Sequence, residues 1–290
     1  MGSMLLVVAC YTICSLSDKY AVAKLKLDGS TLTFLMAAAT SLFMLVYLPF
    51  DSRLFTMTWQ SFLAVALIAV SKLLEFMLAA VVLREMSAFE LKAWLGLSVF
   101  LSYGTDLAAG TAPLGHVTIW KFGFIAVTAA GLFLIAKAGG KKINYLKIAM
   151  PLAGYLLAKY GYGLTVNLTK SYISPTLALF WALVVLAVIL APKVHPIRLF
   201  KEQPKGAMFV SLTKIPNVIG LVCENLVAVQ SMANYSFIQP MILVVLFFYG
   251  IISSKLRKAD LEEAVTPMNI VGGIVCILGI VGFQLIDLII

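Results

Sequence analysis

Charge is scarce in this chain. Of its 290 residues only 12% are Asp, Glu, Lys or Arg, where a soluble domain carries about 25%. Histidine is scarcer still: His116 and His195 are the two that occur, and both fall in predicted loops. Zinc or Ser-His-Asp chemistry therefore has little to work with. The four cysteines, Cys10, Cys14, Cys223 and Cys276, all lie in apolar segments. Cys10 and Cys14 share a helix face at i, i+4, but no His or Cys nearby completes a metal set, and they read as small core residues. Neither a metal nor another cofactor is expected. Met1-Gly-Ser lacks a basic n-region, so a secretory signal is not expected either. No nucleotide-binding motif appears, and no basic domain is present to hold nucleic acid.

Apolar sequence is what the chain has in abundance. Hydrophobic residues make up 62% of it, and mean hydropathy is +1.01. Loops are too short to fold as soluble domains, so an integral membrane protein is expected. A helix needs about 20 apolar residues to cross the hydrocarbon core. Gly, Pro and charge divide the sequence into ten such segments, near 4–23, 32–50, 60–82, 87–105, 119–137, 148–167, 173–192, 207–229, 233–252 and 267–289. Ten spans put both termini on one side. The loops on that side hold Arg53 and Lys170, and those on the other hold fourteen Lys and Arg, from Lys24 to Lys258. The positive-inside rule places the basic loops in the cytoplasm and both termini outside. A bacterial inner membrane is the expected location.

The two halves repeat weakly. At an offset of 144, Tyr11 meets Tyr155, Lys26 meets Lys170, Ser30 meets Ser174 and Leu35 meets Leu179. "SYG" at Ser102 parallels "FYG" at Phe248, and "GLFLIA" at Gly131 parallels "GIVGFQ" at Gly279. Five spans is an odd number, so the second half enters the membrane inverted. The expected fold is all-α: ten transmembrane helices as two inverted five-helix repeats, residues 1–143 and 144–290. Inverted repeats are typical of secondary transporters that bind near mid-membrane between the halves.

Two stretches add a likeness. "NYSFIQPMILVV" (Asn234–Val245) follows a short hairpin and carries a mid-helix proline, and "NIVGGIVCILGIVGF" (Asn269–Phe283) is a glycine-spaced last helix. With the ten spans and the length, the chain resembles the drug/metabolite transporter superfamily, EamA-type. That resemblance implies a ten-helix transporter. Trp94 stands where the first half would carry the matching proline, and "YGTDL" and "YGIIS" replace the glycine-glutamate seen before the fifth and tenth spans. Family members usually keep both termini cytoplasmic, the reverse of what the charge count gives here.

Charges within apolar segments point to a site, because each costs roughly 2.5–3.5 kcal/mol at mid-membrane. Lys72 and Glu75 lie mid-span at i, i+3 and can pair, with a purely structural ion pair as the alternative. Lys214, Asn217 and Glu224 fall within about 80° on one helix, beside Pro216 and Gly220, which suggest a kink. Tyr155, Lys159 and Tyr162 form another stripe, matched in the first span by Tyr11, Ser15 and Asp18. Glu90 and Trp94 pair at i, i+4, and Asn234, Tyr235 and Gln239 mark the ninth span. Lys19, Lys92 and Lys121 are expected to snorkel from span ends. Gly123, Ala130 and Gly131 in the fifth span, with Gly272 and Gly279 in the tenth, allow close helix contact and leave a homodimer open.

Lys159 and Lys214 are expected to face one cavity. Lys72, Lys159 and Lys214 set against Glu75 and Glu224 leave one positive charge over. The leading expectation is therefore a secondary transporter or exchanger of a small polar metabolite, anionic or zwitterionic, working by alternating access. The alternatives are a flippase for a lipid-linked sugar or phosphate, a cationic drug exporter, and a membrane-embedded enzyme or sensor. No enzyme is expected, since the acids are scattered. The expected partners are a small-molecule substrate and the lipid bilayer.

Overall fold

A computed structural model describes residues 2–23, 27–50, 57–86, 88–136, 145–257 and 267–289. Among them every regular element is helical. In chain order these are α1 (Gly2–Ala23), α2 (Gly29–Met44), a 3-10 turn (Leu48–Phe50), α3 (Trp59–Glu85), α4 (Ala88–Gly96), α5 (Ser98–Ala108), α6 (His116–Ala136), α7 (Tyr145–Thr169), α8 (Pro175–Val194), α9 (Pro196–Glu202), α10 (Pro204–Leu212), α11 (Lys214–Gln230), α12 (Met232–Arg257) and α13 (Pro267–Ile289). Among the described residues six stretches are long and apolar enough to cross a membrane: Trp59–Ala79, His116–Ala136, Pro175–Val194, Pro204–Gln230, Met232–Tyr249 and Pro267–Ile286. Their outer faces stay apolar. Val185, Val188 and Ile189 on α8 are exposed together, a surface that suits lipid rather than water. The chain has the make-up of a membrane-embedded helical protein.

The described residues fall into two compact units, and neither follows the boundary at residue 143. One contains residues 1–80 and 157–230, the other 81–156 and 231–290. Each therefore takes one segment from each half of the sequence.

In the first unit α1 packs on α11, and α2 packs on α8, α10 and α11. Local chemistry sets the helix ends. Asp28 starts α2 by accepting from the Ser30 and Thr31 N–H groups at 3.1 and 3.3 Å, as an N-cap carboxylate does. Partial burial pushes that carboxyl up, but the bonds from Thr31 and Ser30 outweigh it and hold it below the usual carboxylate range. Ser174 caps α8 ahead of Pro175, and α8 ends at His195 in the left-handed region (φ 49°). Pro196 then begins α9, where its missing N–H is not needed. Leu27, Phe34, Leu35, Leu199, Ala207 and Val210 close a core beneath these turns. The expected kink appears as a break at Thr213, between α10 and α11. Pro216 has no N–H to give the Leu212 carbonyl, so the helix restarts and Pro216 sits in its first turn. Gly220 lets α11 meet α1: a methyl there would strike the Tyr11 ring.

In the second unit α6 and α13 make the closest pair, with α12 packed on α4 and α5. Gly131, Gly272 and Gly279 do bring α6 and α13 together, since a methyl at any of them would collide with backbone atoms of the partner helix. Gly282 joins them by abutting the Phe124 ring. Gly123 and Ala130 do not belong to this contact: Gly123 faces open space and Ala130 is exposed. One helix start is built from a distance. Buried Asp106, on α5, accepts from the N–H groups of Met232 and Ala233, both at 2.9 Å, and from the Ser231 hydroxyl at 2.8 Å. A carboxylate thus satisfies donors at the start of α12, where the helix dipole favours negative charge.

Candidate functional site: a buried chain of ion pairs

The question posed by Lys72 and Glu75 has a geometric answer in the first unit. Both lie on the inward side of α3, while Val70, Leu74 and Met77 are exposed on its outer side. Lys72 Nζ donates to Glu75 Oε2 at 2.8 Å. Glu75 Oε1 is also 3.5 Å from Lys159 Nζ on α7. Lys159 donates in turn to Glu224 Oε1 on α11 at 2.9 Å. The Tyr11 hydroxyl on α1 donates to the remaining oxygen, Glu224 Oε2, at 2.5 Å. The order is cation, anion, cation, anion, phenol, contributed by four helices.

These groups are deep. Lys72, Glu75, Lys159 and Glu224 are 3%, 9%, 6% and 0% exposed. Charges this deep persist only when paired and hydrogen-bonded. The Tyr162 ring supports the cations, with Lys72 Nζ 3.9 Å and Lys159 Nζ 5.7 Å from its centroid. Its face carries the negative part of the ring quadrupole. The Tyr162 hydroxyl donates to Asn225 Oδ1 at 2.5 Å.

Of the sixteen residues singled out in the sequence, six form this constellation: Tyr11, Lys72, Glu75, Lys159, Tyr162 and Glu224. Ser15 is half-buried on α1, one turn beyond Tyr11. Asp18 belongs to the helical backbone of α1, but its side chain lies outside the described residues, as does that of Lys19. Lys214 is fully buried as well. It opens α11 ten residues before Glu224, about 15 Å along the axis. Asn217 is nearer that end and donates to Thr40 at 3.3 Å. All five of the charges counted as deep are buried; among the described residues the chain of pairs itself sets two cations, Lys72 and Lys159, against two anions, Glu75 and Glu224.

The other six belong to the second unit. Lys92 donates to Gln239 at 2.5 Å, so it is held rather than snorkelling. Lys121 is buried, 5.2 Å from the Phe283 ring centroid, and does not snorkel either. Tyr145 donates to Glu90 at 3.2 Å. Burial, with the Glu90 charge and this bond, raises the Tyr145 hydroxyl above its ordinary range. Trp94 packs edge-on to Phe133, with centroids 5.4 Å apart, and tilted against Tyr145 at 6.1 Å. Gln284 donates to Asn234 at 2.7 Å, and Tyr235 and Tyr155 are buried. These contacts tie α4 to α12 and α12 to α13 within the second unit.

Sequence reasoning missed Asn225 and Asp106. For Asn225 the available signal was the doublet "EN" inside the apolar run "GLVCENLV" (Gly220–Val227). Asp106 had none, because its role depends on where the start of α12 lands.

No family model matches this chain, and no curated protein does.

Proposed function

We propose that this protein is a secondary transporter or exchanger of a small polar metabolite, and that the solute carries balanced charge, a zwitterion before a net anion. One observation carries the reading: among the described residues, buried Lys–Glu pairs alternate in charge, two cations with two anions, in a chain this apolar. An ion pair kept only for stability is poorly rewarded, since apolar residues of similar volume often serve as well. A site made of Lys–Glu pairs can exchange partners with a solute that brings one ammonium and one carboxylate, and no net charge is stranded.

The constellation also suits a site between repeats. It takes α1 and α3 from the first half of the sequence and α7 and α11 from the second. The wider proposal is that all ten helical segments cross the membrane as two inverted five-helix repeats, on the pattern of the EamA-type transporters that the sequence resembles. The basic loops face the cytoplasm and both termini face outward, in a bacterial inner membrane. Secondary transporters bind where repeats meet, and alternating access there would open the pairs to each side in turn.

The test is counterflow. Purified protein is reconstituted in liposomes preloaded with an isotope-labelled extract of small metabolites, and exchange is followed by mass spectrometry. Saturable exchange of zwitterionic solutes is expected, and it should vanish in Lys159→Gln/Glu224→Gln. Exchange at the wild-type rate in that variant, or none from the wild type, refutes the proposal.

A further inference from the structure

The ion pairs leave one conspicuous donor beside them. Asn225 is 1% exposed, and its Nδ2 has no hydrogen-bond partner among the described residues. The reason is local. The buried Tyr162 hydroxyl needs an acceptor, and it takes Asn225 Oδ1 at 2.5 Å. That donation orients the amide and turns both Nδ2 hydrogens away from Tyr162. A buried donor left unpaired is costly, so an acceptor group fits there. The surroundings narrow its chemistry. Asn225 follows Glu224 on α11, and the ring of its partner Tyr162 lies 3.9 Å from Lys72 Nζ. Lys72 and Asn225 thus contact the same tyrosine, one at its ring face and one at its hydroxyl, and an amide N–H together with an ammonium is a donor set matched to a carboxylate.

We propose that Asn225 is the residue that reads the carboxylate of the bound solute. This rests on the transporter reading and deepens it. The solute carboxylate accepts from Asn225 Nδ2 and pairs with Lys72, displacing Glu75. Glu75 keeps Lys159 on Oε1, and its released Oε2 then faces the cationic end of the solute. Tyr162 is the positioning residue, because it sets which way the amide points. Selectivity follows: a cation of similar size without a carboxylate leaves the Asn225 donor unpaired and is rejected.

Three probes separate the parts of the claim: glycine betaine with both charges, acetate with only the carboxylate, and tetramethylammonium with only the cation. Affinity is measured by calorimetry on the detergent-purified full chain. Glycine betaine is expected to bind most tightly, acetate more weakly, and tetramethylammonium not at all. Asn225→Leu should weaken glycine betaine at least tenfold, and Asn225→Asp, which keeps the acceptor for Tyr162 but removes the donor, should weaken it further. Thermal melting of each variant checks folding, and Asn225→Gln serves as a second, milder variant should Asn225→Leu fail to fold. Unchanged affinity in the folded variants would mean that Nδ2 holds only a trapped water, and the proposal falls. Binding of tetramethylammonium as tight as that of glycine betaine overturns it too, as does binding of none of the three. Wild-type counterflow that survives in Asn225→Leu but is lost in Lys159→Gln/Glu224→Gln would overturn this inference while leaving the transporter reading standing.

Discussion

Replacing Lys159 by Met should be among the most damaging single changes in the first unit. Its ammonium is the middle link, 2.9 Å from Glu224 and 3.5 Å from Glu75. Glu75 would keep Lys72 at 2.8 Å. Glu224, fully buried, would keep the Tyr11 hydroxyl as its hydrogen-bond donor among the described residues. Breaking a buried pair by removing one partner costs about 3–5 kcal/mol, because the other charge stays buried without compensation. Lys159→Met/Glu224→Gln removes that charge and still leaves an amide oxygen to accept from Tyr11. It should recover most of the loss, to within about 1–2 kcal/mol of the native protein. The assay is reversible denaturant unfolding in mixed micelles, run as a full double-mutant cycle. Strong coupling is expected, well beyond the roughly 0.3–0.5 kcal/mol within which independent sites add. If the double variant loses as much as the two single variants summed, Lys159 and Glu224 are not paired in the folded protein and the reasoning fails.

Other perturbations test separate statements. Asp106→Ala strips two N–H groups and one hydroxyl of their buried acceptor, which should cost about 1–3 kcal/mol or more; a loss of under about 0.5 kcal/mol in unfolding would show that Ser231 alone caps α12. Asp28 has a folded-state pKa held below the unfolded value of about 3.9, so its contribution is complete above that value and is lost as pH falls through the folded one. The Asp28→Asn variant should therefore show a shallower loss of melting temperature below about pH 4 than the native protein; identical pH profiles would remove Asp28 as a cap. Gly131→Val should disrupt the α6–α13 contact, because the obstacle is the Cys276 backbone rather than a movable side chain; the loss expected is about 1–3 kcal/mol, and a variant as stable as the native protein would contradict the close approach. For sidedness, Lys201→Cys in intact cells should resist an impermeant thiol reagent until the membrane is opened; immediate labelling would reverse the proposed orientation.

Helix placement was legible in the sequence, since apolar runs and their Gly, Pro and charge punctuation act locally. Each of the ten predicted segments holds a helix or a broken pair such as α10–α11, though α2 stops at Met44, short of the expected 50. The pair Lys72–Glu75 was equally legible, because i, i+3 spacing on a helix brings two side chains together whatever the rest of the chain does. Periodicity gives the face of a helix but neither its depth nor its neighbour. Lys214, for example, enters α11 about 15 Å along the axis from Glu224, the partner of Lys159. The same limit is why Gly123 could be grouped with Gly131 though it faces open space. The link from Lys159 to Glu224, the reach of Asp106 to the start of α12 and the unpaired amide of Asn225 all depend on how helices distant in sequence rotate and pack. Those rotations are chosen by the summed contacts of whole helix faces, which no short stretch of sequence contains. The sequence by itself determined a membrane-embedded helical chain with charges buried in it, and only the tertiary structure decided which charge meets which.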